Sequence, residues 1–153
     1  MRDIKPRETP CYCMNFRRMA GALTKFYDAA LSPAGLTANQ LSLLTDIHTI
    51  QPCSRSELAR CARLDRTTVI RNLDLLIKKG YVAQQPEEHN RYAAIRLTPA
   101  GEDAMQQGFL LWKQAQSKVK EVFAPETRAV LREAFSKVGE IEALLDEPSG
   151  GTT

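Results

Sequence analysis

The chain has 153 residues, 43% of them hydrophobic and 25% charged, which is the size and make-up of one globular domain and excludes a disordered or fibrous protein. It holds no apolar run long enough to cross a bilayer, and residues 1–10 are charged and lack the apolar stretch of a secretory signal, so the cytoplasm is the expected compartment. The net charge of +3 is unevenly placed: residues 54–97 hold nine Lys and Arg against five Asp and Glu, whereas residues 98–153 hold six against nine, which points one surface of the molecule at a polyanion.

Residues 1–10, with two prolines and mixed charges, read as an arm. Tyr12, Phe16, Met19, Leu23, Phe26, Tyr27 and Ala30 recur at three- and four-residue steps and predict a helix from Cys11 to about Leu31. Ser32, Pro33 and Gly35 break it. Thr37-Ala38-Asn39-Gln40 fits a capping box, and the helix it opens should turn Leu41, Leu44, Ile47 and His48 inward before Pro52. Ser54-Arg55-Ser56-Glu57 is a second capping box, for a short helix through Leu58, Ala59 and Ala62. Asp65 is a good N-cap for a helix from Arg66 to Lys79, with Gly80 just past its end.

Two short strands, Tyr81 to Gln85 and Arg91 to Leu97, then flank a polar turn of residues 86–90. Thr98-Pro99 starts a long helix to about Phe123, with Met105, Phe109, Trp112, Val119, Val122 and Phe123 on one side. Ala124-Pro125 restarts a last helix carrying Val130, Leu131, Ala134, Phe135, Val138, Ile141 and Leu145, and Pro148 with Ser149-Gly150-Gly151 ends in a flexible tail.

Short helix, turn, helix and two-stranded hairpin, in that order, make a winged helix-turn-helix. In the helix from Arg66, the residues Val69, Ile70, Leu73, Leu76 and Ile77 lie within about 60° of one direction at 100° per residue and form a core face. Thr67, Thr68, Arg71, Leu75 and Lys78 point the other way, with Arg66 at the start and Asn72 at the flank. Small hydroxyls permit close approach to a major groove, Arg71 can reach a guanine edge, and Asn72 an adenine edge or a phosphate. The competing reading is a solvated basic face, and Leu75 suits neither. Arg91, at the base of the wing, is placed to enter a minor groove or, alternatively, to pair with Glu87 or Glu88 and brace the turn.

Gly35-Leu36-Thr37-Ala38-Asn39-Gln40-Leu41, Ser56-Glu57-Leu58-Ala59, Leu64-Asp65-Arg66-Thr67-Thr68-Val69, Lys79-Gly80-Tyr81-Val82, Arg91 and Leu97-Thr98-Pro99-Ala100-Gly101 together resemble the MarR family of bacterial transcriptional regulators, over about residues 12–145. The resemblance implies a homodimer that presents two winged helix-turn-helix lobes to a pseudo-palindromic operator on double-stranded DNA. The fold class is then mainly α with a small β-hairpin wing, on a helical dimerisation body. Its parts would be an arm (1–10), a first dimerisation helix (11–36), the DNA-binding lobe (37–98), C-terminal dimerisation helices (99–146) and a tail (147–153). The aromatic load of the first and last helices (Phe16, Phe26, Tyr27, Phe109, Trp112 and Phe135) independently favours a core shared between subunits. The family's Asp-x-Arg wing signature stands here as His89-Asn90-Arg91, so the usual wing salt bridge would need Glu87 or Glu88.

Two modes of control follow from the resemblance. A small phenolic or aromatic effector can sit in the crevice between dimer body and DNA-binding lobe, with Phe16, Phe26, Tyr27 and Trp112 as lining candidates, although such a stripe also suits plain core. Alternatively Cys11-x-Cys13, at a helix start with Arg17 and Arg18 one turn on, can sense oxidants, as a cysteine near this position does in some relatives. A bridge within Cys11-x-Cys13 would be strained, which favours an intersubunit disulfide. Idle reduced thiols are the plainer reading, and Cys53 and Cys61 read as packing residues. No metal or other cofactor is expected, since Cys11, Cys13, His48 and His89 lack paired ligand spacing. The sequence therefore reads as a repressor. The alternative is a winged-helix protein-interaction module without DNA binding, which the small polar outer face disfavours. No nucleophile–base pair or carboxylate dyad supports an enzyme.

Overall fold

A computed structural model describes residues 9–62, 64–86 and 93–144. The elements are α1 (Tyr12–Leu31), a single 3-10 turn (Ser32–Ala34), α2 (Ala38–Ile50), α3 (Arg55–Cys61), α4 (Arg66–Lys78), β1 (Val82–Gln85), β2 (Ala94–Leu97), α5 (Pro99–Val122), α6 (Pro125–Ser136) and α7 (Val138–Ala143). The chain divides into two compact units, Met1–Ala115 and Gln116–Thr153.

The helix starts are set by local chemistry. Thr37 Oγ1 accepts from the Gln40 amide and Gln40 Oε1 from the Thr37 amide, both at 3.3 Å. At the start of α3, Glu57 Oε2 accepts from the Ser54 amide at 2.8 Å and Ser54 Oγ from the Glu57 amide at 3.2 Å. Asp65 Oδ1 accepts from the Thr68 amide at 2.8 Å. Each bond satisfies an amide that the first helical turn leaves without a partner. These are the caps expected from the sequence.

The core of the first unit joins Leu31 and Leu36 to Leu41, Leu43, Leu44 and Ile47 of α2, Leu58 of α3, and Val69, Leu73 and Leu76 of α4. Val82 and Ile95 close it from the hairpin. Burial of side chains this size contributes roughly 1.5–3 kcal/mol each. β1 and β2 pair antiparallel, with Val82 opposite Leu97 and Gln85 opposite Ala94.

The hairpin is rooted more firmly than its two strands suggest. Ile95 N donates to Cys53 O at 2.8 Å and Cys53 N to Ile95 O at 3.3 Å, so the α2–α3 connection adds a one-residue bridge to the sheet. Leu97 N also donates to Gln51 Oε1 at 2.8 Å. At the other edge Thr98 Oγ1 donates to Gly80 O at 2.6 Å and accepts from Gly101 N at 3.1 Å. Gly101 is buried there, and a Cβ on it would run into the Tyr81 carbonyl oxygen.

Three expectations need correction. His48 is exposed and Leu43 buried, because the inner face of α2 centres on Gln40, Leu44 and Ile47 and leaves His48 at its edge, in the last turn where a base suits the helix dipole. The last helix is two. Lys137 (φ −87°, ψ −1°) ends α6, Gly139 weakens helical continuity, and an exposed pair from Lys137 Nζ to Glu140 Oε1 at 2.8 Å spans the start of α7. Cys61 is exposed rather than packed: it is the last residue of the short α3, and although it follows the buried Leu58 by three residues the core does not extend to it.

Candidate nucleic-acid interface and adjoining cavity

Val69, Leu73 and Leu76 are completely buried, and they fix α4 so that Arg66, Thr67, Arg71, Leu75 and Lys78 stand in solvent on its opposite side, with Thr68 half-buried. The outer face is thus cationic and hydroxylic at its N-terminal end, with Leu75 further along. Asn72 does not belong to it. It is only 6% exposed, and its Nδ2 donates to the Thr68 carbonyl at 2.9 Å. The helical wheel puts it at the flank, and the folded lobe buries that flank. Asn72 is therefore withdrawn from the DNA-facing set.

Arg55, which in the sequence is only a member of the Ser54 capping box, takes on a tertiary role. Its Nη2 lies 2.9 Å from Asp74 Oδ1 on α4 and donates to Gln84 Oε1 on β1 at 3.0 Å. One guanidinium thus joins α3, the recognition-helix candidate and the wing strand, and it offsets a carboxylate that would otherwise oppose phosphate. No local spacing links residues so far apart in sequence. Lys79 Nζ donates to Gly35 O at 2.6 Å and Gln40 Oε1 at 3.1 Å, tying the end of α4 to the start of α2. The wing tip, with Glu87, Glu88, His89, Asn90 and Arg91, lies outside the described residues.

A cavity of about 280 Å³ opens beside this lobe, lined by Tyr27 of α1, Ala38, Leu41, Ser42, Thr45 and Asp46 of α2, and Phe109 and Trp112 of α5. Of the four proposed lining aromatics it takes Tyr27 and Trp112. Phe16 is half exposed, away from the lining, and Phe26 packs edge-on to Tyr27 at 5.7 Å between ring centroids rather than facing the space. Phe109, 5.3 Å from Trp112 and expected from the sequence only as part of a shared core, also lines it, as does Asp46, for which the sequence suggests no role. Burial pushes the Asp46 carboxyl and the Tyr27 phenol above their usual ranges.

Cys11 and Cys13 are both exposed at the start of α1. Cys53 is buried, and desolvation first, then the nearby Glu57 and Cys61, push its thiol up to about 11. Among the described residues no group of three His, Cys, Asp or Glu side chains converges to hold a metal ion, and no helix is long and apolar enough to cross a membrane.

Comparison with known proteins agrees with this geometry. The profile of the MarR family matches residues 36–91, from the start of α2 into the wing. A transcriptional regulator of the helix-turn-helix type from Bacillus subtilis, YdgJ, itself uncharacterised, is 30% identical over 96 residues, which are 62% of this chain and 54% of that protein, so the match spans about half of that relative. The DNA complex of the Mycobacterium tuberculosis transcriptional regulator MosR is 34% identical and superposes with a TM-score of 0.74 over 88% of this chain and 98% of that one. MarR of Escherichia coli on operator DNA, at 23% identity, shares the fold with a TM-score of 0.72 over 82% and 91% of the two chains. With its cap-and-glycine signature, its hairpin wing and this set of relatives, the chain belongs to the MarR family of transcriptional regulators.

Proposed function

We propose that the protein is a cytoplasmic, homodimeric repressor rather than an enzyme, and that it binds a pseudo-palindromic operator through the lobe of residues 37–98. The observation that carries this reading is the outer face of α4: Arg66, Thr67, Thr68, Arg71 and Lys78 around a helix anchored by three fully buried side chains. Arg71 reads a base edge, Lys78 contacts phosphate, and Arg91 reaches an adjacent minor groove. A module that bound protein instead would show larger apolar anchors at the N-terminal end of that face.

Dimerisation is assigned to residues 11–36 and 99–146. Tyr12, Phe16 and Leu110 stand exposed in the first unit and Val130, Phe135 and Ile141 in the second, each by 50% or more. Apolar surface on this scale is costly to leave in water and is covered in a dimer. The effector is assigned to the cavity lined by Tyr27 and Trp112. It would act by favouring a spacing of the two α4 helices that cannot match successive major grooves.

A second reading of control rests on the exposure of both Cys11 and Cys13. One thiol from each subunit would pass two electrons and two protons in total to a hydroperoxide, which leaves as an alcohol and water while an intersubunit disulfide forms.

The test is titration of duplex DNA from the promoter beside the gene at several salt concentrations. The expected result is steep loss of affinity with salt and a specific site tighter than random duplex by a factor of the order of a thousand. Binding that ignores both salt and sequence refutes the proposal. Release by peroxide that survives Cys11→Ser with Cys13→Ser removes the thiol reading.

A further inference from the structure

We propose that the cavity between α1, α2 and α5 selects an organic cation, an amine or quaternary ammonium on a small aromatic or apolar body, with Asp46 as its counter-charge and Tyr27, Phe109 and Trp112 as its walls. The inference rests on the reading of this cavity as the effector site and specifies which charge class that site takes.

Three observations converge on it. First, Asp46 lines the cavity, yet its carboxylate has no hydrogen bond or ion pair with any described residue. A half-buried charge without a partner is costly, and a ligand cation removes that cost. Second, three of the lining side chains, Tyr27, Phe109 and Trp112, are aromatic, and an aromatic ring attracts a cation through its quadrupole. Phe109 already does so: Lys113 Nζ lies 5.6 Å from its ring centroid. Third, the space of about 280 Å³ is near the lower end of small-molecule sites, on the order of 300 Å³, and suits a single-ring ligand.

A carboxylate ligand meets the opposite situation. It would lie against Asp46, and Lys113, the cation placed beside the lining, is engaged with Phe109. Ser42 and Thr45 offer hydroxyls that serve a polar head of either sign, so they do not decide the matter. Asp46 is half-buried, and that burial pushes its carboxyl above the usual range.

Trp112 is the sole tryptophan of the chain and lines the cavity, so its fluorescence reports occupancy directly. The full-length protein is titrated with three probes that share a phenol ring: tyramine (cationic), 4-hydroxyphenylacetamide (neutral) and 4-hydroxyphenylacetate (anionic). Operator affinity is measured alongside. Tyramine is expected to bind about tenfold more tightly than the carboxylate, the scale of one partly solvated charge contact. Asp46→Asn should bring the two within about threefold, and Asp46→Glu should keep the preference. A native far-ultraviolet circular dichroism spectrum and a cooperative thermal melt confirm that both variants fold.

Equal or tighter binding of the carboxylate, an unchanged preference in Asp46→Asn, or no binding of any probe overturns the inference. Carboxylate binding that equals or exceeds that of tyramine and also releases DNA leaves the effector reading standing and overturns the charge preference alone. Tyramine binding that leaves operator affinity untouched supports the charge preference and overturns the effector reading.

Discussion

Gly101→Ala tests how the wing is held to the lobe. In an exposed helix a glycine-to-alanine change stabilises by up to about 1 kcal/mol, because alanine restricts the unfolded chain and favours the helix. Gly101 lies in the first turn of α5 and carries the same propensity term. Its new Cβ, however, would collide with the carbonyl oxygen of Tyr81 and stand 2.8 Å from its carbon and 3.2 Å from its Cα. These are backbone atoms, so no rotamer change relieves the contact. The helix start and the residue before β1 must part by about an ångström or more. That movement strains the bonds from Thr98 N to Tyr81 O at 3.0 Å and from Gly101 N to Thr98 Oγ1 at 3.1 Å. Overpacking costs about 1–3 kcal/mol and each weakened bond up to about 1 kcal/mol, so a net loss of about 2 kcal/mol remains after the propensity gain. In urea this lowers the unfolding midpoint by about 1 M, and in thermal melts by about 4–8 °C. Gly21→Ala in α1 is the control: within its own chain nothing lies within 4 Å of the new Cβ, so the helix of each subunit should be stabilised. If Gly101→Ala also stabilises, the close approach of α5 to the wing root is not a constraint and the reasoning fails.

Arg71→Ala should relax sequence preference by about 1–3 kcal/mol at one operator position, whereas Lys78→Ala should weaken all duplexes alike and reduce the salt slope by about one; competition binding at several salt concentrations distinguishes them. Acid titration of stability should show a loss as pH falls through the folded values of Asp65 and Glu57, because hydrogen bonds from Thr68 and from Ser54 hold these two carboxyls below their ordinary range. Asp65→Asn should flatten that limb in urea melts. Asp46, shifted upward, has the opposite sign: its contribution favours the fold when protonated and is lost as pH rises, so Asp46→Asn should raise stability at neutral pH. Alkylation of the native protein at mildly basic pH should label Cys11, Cys13 and Cys61 and spare Cys53, whose thiol is buried and pushed up to about 11; peptide mass spectrometry reads the pattern, and early labelling of Cys53 would contradict its packing under Ile95.

Chain order and chemistry within a few residues determined a great deal of this protein. The caps at Thr37, Ser54, Asp65 and Thr98, the positive-φ glycines Gly35 and Gly80, and the face of Val69, Leu73 and Leu76 were all legible, because each depends on neighbours no more than a turn or two away. Tertiary structure decided what those neighbours could not. A helical wheel placed Asn72 at the flank of α4 and His48 on the inner side of α2, and only the tertiary packing buried the first and left the second in solvent. The link from Arg55 to Asp74 and Gln84 and the bridge from Cys53 to Ile95 join residues distant in sequence, where periodicity carries no signal. Asp46 reads as one polar residue on an amphipathic helix, and its isolation beside Tyr27, Phe109 and Trp112 exists only once α1, α2 and α5 are folded together. Local hydrogen bonds and helical repeat act over a few residues, whereas desolvation depends on everything that packs around a group.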